Sequence, residues 1–294
     1  MRAEQIRTIL REEVLSTISK PARYLGHEVN SVHKNWEQAT VKVALAFPDI
    51  YEVGMSHLGL KILYHLLNQE PDFLAERTYA PWPDMEEALR SRRIPLFSLE
   101  SSTPLAQFDL DGFTLQYELS YPTILNMLDL AGVPLQSADR SVEDPLIIAG
   151  GPCAFNPEPL APFFDLLVIG EAEEVFPQLL REYQEYRQKH EPNRLGLLQR
   201  LATLPGIYVP RFYQPLYNPD GTLQSWTTNG EVAFPVRKQV LRNLEGVTYP
   251  TKFIVPYLEV VHDRGTLEVF RGCTRGCRFC QAGMIYRPVR ERSV

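Results

Sequence analysis

The 294-residue sequence is 44% hydrophobic and 22% charged, the composition of a globular chain long enough for more than one core. Its net charge of -6 supplies no overall basic field of the kind that drives sequence-independent nucleic-acid binding. No stretch approaches the roughly 20 uninterrupted apolar residues of a membrane-spanning helix, and the opening MRAEQIRTILREEVLSTISK is charged and amphipathic, unlike a secretory leader. A cytoplasmic location is therefore expected. There, clustered thiols are more often metal ligands or catalysts than disulfides, and three of the four cysteines are clustered.

Ile6, Ile9, Leu10, Val14 and Ile18 recur at helical spacing before the stop at Pro21, which predicts a leading helix within residues 1–30. From Thr40 the pattern alternates between short apolar runs and longer segments of helical periodicity, the mark of a parallel sheet wrapped by helices. The predicted strands are 40–48, 76–81, 94–100, 113–119, 145–152 and 164–171. The predicted helices are 57–69, 84–92, 121–132, with Gly132 as a stop, and 173–190. Most of the strands are continuous apolar runs, as expected where both faces are buried. The expected fold class is thus α/β, with a doubly wound, Rossmann-type domain over residues 31–190.

Residues 191–250 are proline-rich, and Asn218-Pro219-Asp220-Gly221 stands between aromatic, β-prone runs, so a β-rich connector containing a hairpin is expected. A last strand, TLEVFRG (266–272), leads into Arg271-Gly-Cys-Thr-Arg-Gly-Cys-Arg-Phe-Cys280. Cys273, Cys277 and Cys280 are spaced so that three thiolates can converge on one inorganic cluster. Four thiolates normally complete such a shell, so one iron would stay open for a substrate or cofactor. Gly272 and Gly276 would let the backbone bend closely, and Arg271, Arg275 and Arg278 would offset the cluster's negative charge. A four-ligand zinc site fits less well, because Cys153 lies far upstream and His262 is the nearest preceding histidine.

Cys-x-x-x-Cys-x-x-Cys with Phe279 just before the last cysteine resembles the signature loop of the radical S-adenosylmethionine (radical SAM) superfamily. The resemblance implies a 4Fe-4S cluster on Cys273, Cys277 and Cys280, S-adenosylmethionine on the open iron, and Phe279 against its adenine. It further implies one-electron cleavage of the sulfonium to methionine and a 5'-deoxyadenosyl radical, fed by a donor such as flavodoxin or ferredoxin. Upstream, IIAGGPCAFNPEPLAPFFDLLVIGEAEE (147–174) resembles the end of the cobalamin-binding domain found in one radical SAM class. FPDIYEVGMSHLGLKILYHLL and LQYELSYPTILNML resemble an uncharacterised bacterial branch of that class.

On that resemblance Gly150, Gly151, His57 and Ser120 are candidate cobalamin contacts. His57 departs from the Asp-x-His-x-x-Gly pattern of enzymes that ligate cobalt, since it lies in Met55-Ser56-His57-Leu58-Gly59 with Asp49 too far upstream. Tyr117 and Glu118 end a strand at the same edge, Glu171, Glu173 and Glu174 read as a charged helix start, and Cys153 as a small buried residue. Residues 251–294 are expected to begin a (β/α) barrel that stops early, so that a downstream polypeptide would complete it. Two further readings stand beside the enzyme: a cobalamin- or ligand-binding regulatory module with a structural metal site, and an RNA-modification factor, which the acidic balance disfavours.

Overall fold

A computed structural model describes residues 1–293. Five parallel strands and one antiparallel strand form a single sheet: β1 (Val41–Phe47), β2 (Phe73–Tyr79), β3 (Leu110–Thr114), β4 (Leu146–Gly150), β5 (Leu166–Val168) and β6 (Ile207–Tyr208). Their order is β2-β1-β3-β4-β5-β6, so the α/β fold class is present. The connections run one way from β1 to β2 and the other way from β2 to β5. With right-handed crossovers that reversal puts helices on both faces and opens a crevice at the carboxyl ends of β1 and β3.

The leading segment forms a short helix, α1 (Ala3–Ile9), which continues as a wider turn through Val14. Ile6, Leu10 and Val14 lie on one stripe of it and are buried in the common core. A single turn, α2 (Tyr51–Gly54), precedes α3 (Leu58–Gln69), and α4 (Pro83–Arg92), α5 (Tyr121–Ala131) and α6 (Val175–Lys189) follow as the pattern predicts.

Residues 94–100 do not join the sheet. The chain is tied to β2 by the Leu99 amide on the Arg77 carbonyl, at 2.8 Å, and then folds back through Ser98 and Ser102, so no ladder can continue. β3 starts three residues earlier than the apolar pattern suggests, because the sheet takes in Asp111 and Gly112 while Leu115 is the last residue bonded to it.

The segment read as a β-rich connector contains a further helix, α7 (Arg194–Leu201), and supplies β6 to the sheet. Beyond it, β7 (Tyr213–Tyr217) and β8 (Leu223–Thr228) form an antiparallel hairpin closed by Asn218–Gly221. Near the end, β9 (Phe270–Arg271) pairs antiparallel with β10 (Arg290–Glu291), and α8 (Ala282–Ile285) lies between them. The cysteine loop is therefore the excursion of a two-stranded ribbon.

Candidate functional site

A cavity of about 370 Å³ lies at the carboxyl edge of the sheet. Its floor comes from Leu45 of β1, Gly112–Thr114 of β3, Ile148–Gly150 of β4 and Val168 of β5, and Arg271, Gly272 and Tyr286 of the cysteine loop close one side. This is the edge at which open α/β sheets bind ligands.

His57 stands at the mouth as the N-cap of α3, its Nδ1 accepting the Leu60 amide at 3.0 Å. Gly59 makes room for the ring, since a Cβ there would lie 2.9 Å from His57 Cε1. Burial pushes the His57 pKa down to about 4 and Lys61 adds to the effect, while a hydrogen bond to Gln116 opposes it. The imidazole is therefore neutral at physiological pH. Because Nδ1 is an acceptor, the proton resides on Nε2.

Gly150 and Gly151 both line the cavity. Gly151 has φ +107°, and a Cβ there would sit 2.8 Å from the Leu115 carbonyl oxygen, so only glycine fits. Ser120 lies outside the cavity, buried, with its hydroxyl donating to the Tyr117 carbonyl at 2.7 Å. Tyr117 is exposed and donates to Asp49 at 3.3 Å. Cys153 is buried, and burial raises its thiol pKa.

The loop is fastened by charge. Arg271 meets Glu173 at 2.5 Å, Glu268 at 2.7 Å and Glu171 at 3.6 Å; Arg290 meets Glu171 at 2.5 Å, and Arg292 meets Glu268 at 2.8 Å. Burial alone would lower the Arg271 pKa, but its bonds to Glu268 and Glu173 raise it. Glu171 and Glu173 thus serve as docking partners for a strand almost one hundred positions downstream, rather than as a helix start.

Within the loop, Gly272 has φ +93°, and a Cβ there would lie 2.7 Å from the Tyr286 carbonyl oxygen, so the turn into Cys273 requires glycine. Cys273 and Cys280 are partly buried and Cys277 is exposed. The Arg275 amide points at Cys273 Sγ, 3.4 Å away. Among the described residues, no three His, Cys, Asp or Glu side chains are drawn together closely enough to hold one metal ion.

The donor set nevertheless suits an iron-sulfur cluster: three thiols within eight residues, a backbone N–H turned toward a sulfur, and no carboxylate or imidazole inside the loop. Phe279 is 92% exposed, and Arg275 and Arg278 are exposed as well.

As placed, His57 does not offer cobalt a ligand atom. Nε2 of His57 carries a proton, and moving it to Nδ1 would break the cap on α3.

Fold and site together define an α/β module with a ligand-sized cavity, joined to a thiol-bearing loop. The family model described as "Radical SAM proteins, N-terminal" matches residues 59–210. The chain belongs to that family. An uncharacterised protein of Methanocaldococcus jannaschii is 24% identical over 262 residues, covering 86% of this chain and 43% of its own length. The chain therefore spans less than half of that relative. No solved structure matches.

Sequence reasoning missed Thr114, Gln116, Glu268 and Phe176 as cavity residues. Gln116 lies in the phrase LQYELSYPTILNML, and the other three belong to no motif. Its place one residue beyond the last sheet-bonded position of β3 is the structural signal for Gln116.

Proposed function

We propose that this chain is the amino-terminal part of a radical SAM enzyme whose Cys273, Cys277 and Cys280 hold a 4Fe-4S cluster. The observation that carries the reading is the Cys-x-x-x-Cys-x-x-Cys loop itself, tied through Arg271 to Glu171 and Glu173 just beyond β5 in a chain of the radical SAM amino-terminal family. When bound and reduced, such a cluster gives one electron to the sulfonium of S-adenosylmethionine, breaking its bond to the 5' carbon and leaving methionine and a 5'-deoxyadenosyl radical.

The chain's own residues supply the setting. Arg271, held by three carboxylates, fixes the start of the loop, and Gly272 lets the chain turn sharply into Cys273. The Arg275 amide is aimed to stabilise charge on Cys273 sulfur. Phe279, exposed on the loop, is available to cover the adenine. A small electron-donor protein of the flavodoxin or ferredoxin type is the expected partner. His57 is left out as a cobalt ligand, because its Nδ1 is taken up by the cap on α3.

The test is anaerobic reconstitution with iron and sulfide, followed by electron paramagnetic resonance with and without S-adenosylmethionine. A reduced-cluster signal that changes on adding S-adenosylmethionine, and that is lost in Cys273→Ala, Cys277→Ala and Cys280→Ala but kept in Cys153→Ala, is the expected result. A full cluster in any of the first three variants would refute the ligand assignment. A signal blind to S-adenosylmethionine would favour a ligand-binding module with a structural metal.

A further inference from the structure

We propose that the cavity at the sheet edge binds an uncharged molecule with an apolar body and rejects phosphates and other anions. Its size falls within the range of small-molecule pockets, and Leu45, Ile62, Phe113, Ile148, Val168 and Phe176 give it apolar walls.

In α/β sheets anions are held at this edge by free amides at a helix N-terminus or by a nearby cation. The cation is spent here, and the helix start is spent in part. The start of α3 is capped by its own neutral imidazole, His57 Nδ1 accepting from Leu60. Arg271, the one cation among the lining residues, is bound by Glu171, Glu173 and Glu268, which line the same cavity. Arg290 and Arg292 pair with the same carboxylates, so no guanidinium at the cavity is unpaired, and an entering anion would have to displace a carboxylate from Arg271 to gain a cation.

What remains to orient a ligand is neutral: the Thr114 hydroxyl and the Gln116 amide, which donates to Thr114 at 2.5 Å and is hydrogen-bonded to His57. These groups fit a single hydrogen-bonding edge on an otherwise apolar molecule. None of the three cysteines lines the cavity, so the site stands whether or not they hold iron.

Two fluorescent probes of one skeleton test it, N-phenyl-1-naphthylamine, which is neutral, and 8-anilinonaphthalene-1-sulfonate, which carries a charge. Both are titrated against the full chain without iron. The neutral probe should saturate at one site, and the sulfonate should bind at least about tenfold more weakly. Gly150→Leu should weaken the neutral probe at least about tenfold while circular dichroism stays unchanged. A Cβ on Gly150 meets only Val168, at 3.7 and 3.8 Å, so the side chain can enter the cavity.

Gln116→Lys, which adds a cation to the wall, should strengthen sulfonate binding, and it decides the matter if Gly150→Leu fails to fold. Equal affinity for the two probes would overturn the proposal. So would binding indifferent to both substitutions, as expected of a dye that merely coats exposed Leu267, Val269 and Phe279.

Discussion

Glu76 lies inside β2 at 2% exposure, and its carboxylate accepts the hydroxyls of Ser98 and Ser101 at 2.5 Å each. Burial and the neighbouring Glu100 push its pKa up to about 7, more than those two hydrogen bonds pull it down. A carboxyl whose folded pKa exceeds its unfolded one contributes fully below the unfolded value of 4.5, and that stability is lost as pH rises through about 7. Glu76→Gln removes the titration while keeping an acceptor for both serines. Urea melts should show the variant gaining about 2–3 kcal/mol on the natural chain between pH 5 and pH 8.5. Parallel pH profiles would show that Glu76 is not the titrating group. Asp111, fully buried with both oxygens unpartnered, is likewise shifted upward by burial, and Arg140 only partly offsets it. Both residues were invisible as buried carboxyls in the sequence, because an acidic residue in an apolar run reads as a strand end.

His57 titrates in the opposite sense. Its folded pKa of about 4 lies below the ordinary imidazole value of 6.5, so its stabilising effect is present above 6.5 and is lost as pH falls toward 4. Nuclear magnetic resonance of the ring should show a neutral Nε2–H tautomer at pH 6 with a midpoint near 4. A midpoint near 6.5, or an Nδ1–H tautomer, would remove the basis for excluding cobalt ligation.

Among the elements, the β9–β10 ribbon depends on the sheet more than its own two residue pairs suggest. The Arg271 side chain is 13% exposed and that of Glu173 is 7% exposed, so removing one partner leaves a charge poorly compensated. Glu173→Gln should loosen the ribbon by about 1–3 kcal/mol, a range discounted for the water that still reaches it. Hydrogen exchange should quicken at Phe270 and Arg271 and stay unchanged in β1. Uniform protection across the ribbon would mean that the ion pairs do not hold it. Local periodicity foretold α3, α5, α6, β1, β4 and the β7–β8 hairpin, because each is built from neighbours in sequence. It could not foretell the role of Glu171 and Glu173, whose partners lie a hundred positions away. Residues 94–100 mislead for a related reason: their apolar run is buried, but by folding back on Thr103 rather than by pairing in the sheet.

For the molecule as a whole, the question is where the sheet domain ends. The prolines after residue 190 suggest a change of architecture, yet Leu197, Leu198, Leu201, Ile207 and Val209 are buried in the same core as β1 to β5. Arg194 of α7 donates to Asp165 at 2.8 Å and also to the carbonyls of Ser141, Asp144 and Pro145. Asp165 is 3% exposed, and with Arg194 gone only Arg140 would remain to pair with it. Ending the chain at 190 would also strip β6 from β5, exposing an apolar edge strand. A fragment of residues 1–212 should therefore unfold cooperatively in urea, whereas residues 1–190 should show a broad transition or aggregate. A sharp transition for 1–190 matching that of 1–212 would place the boundary where the prolines begin and make α7 and β6 an appendage to the core.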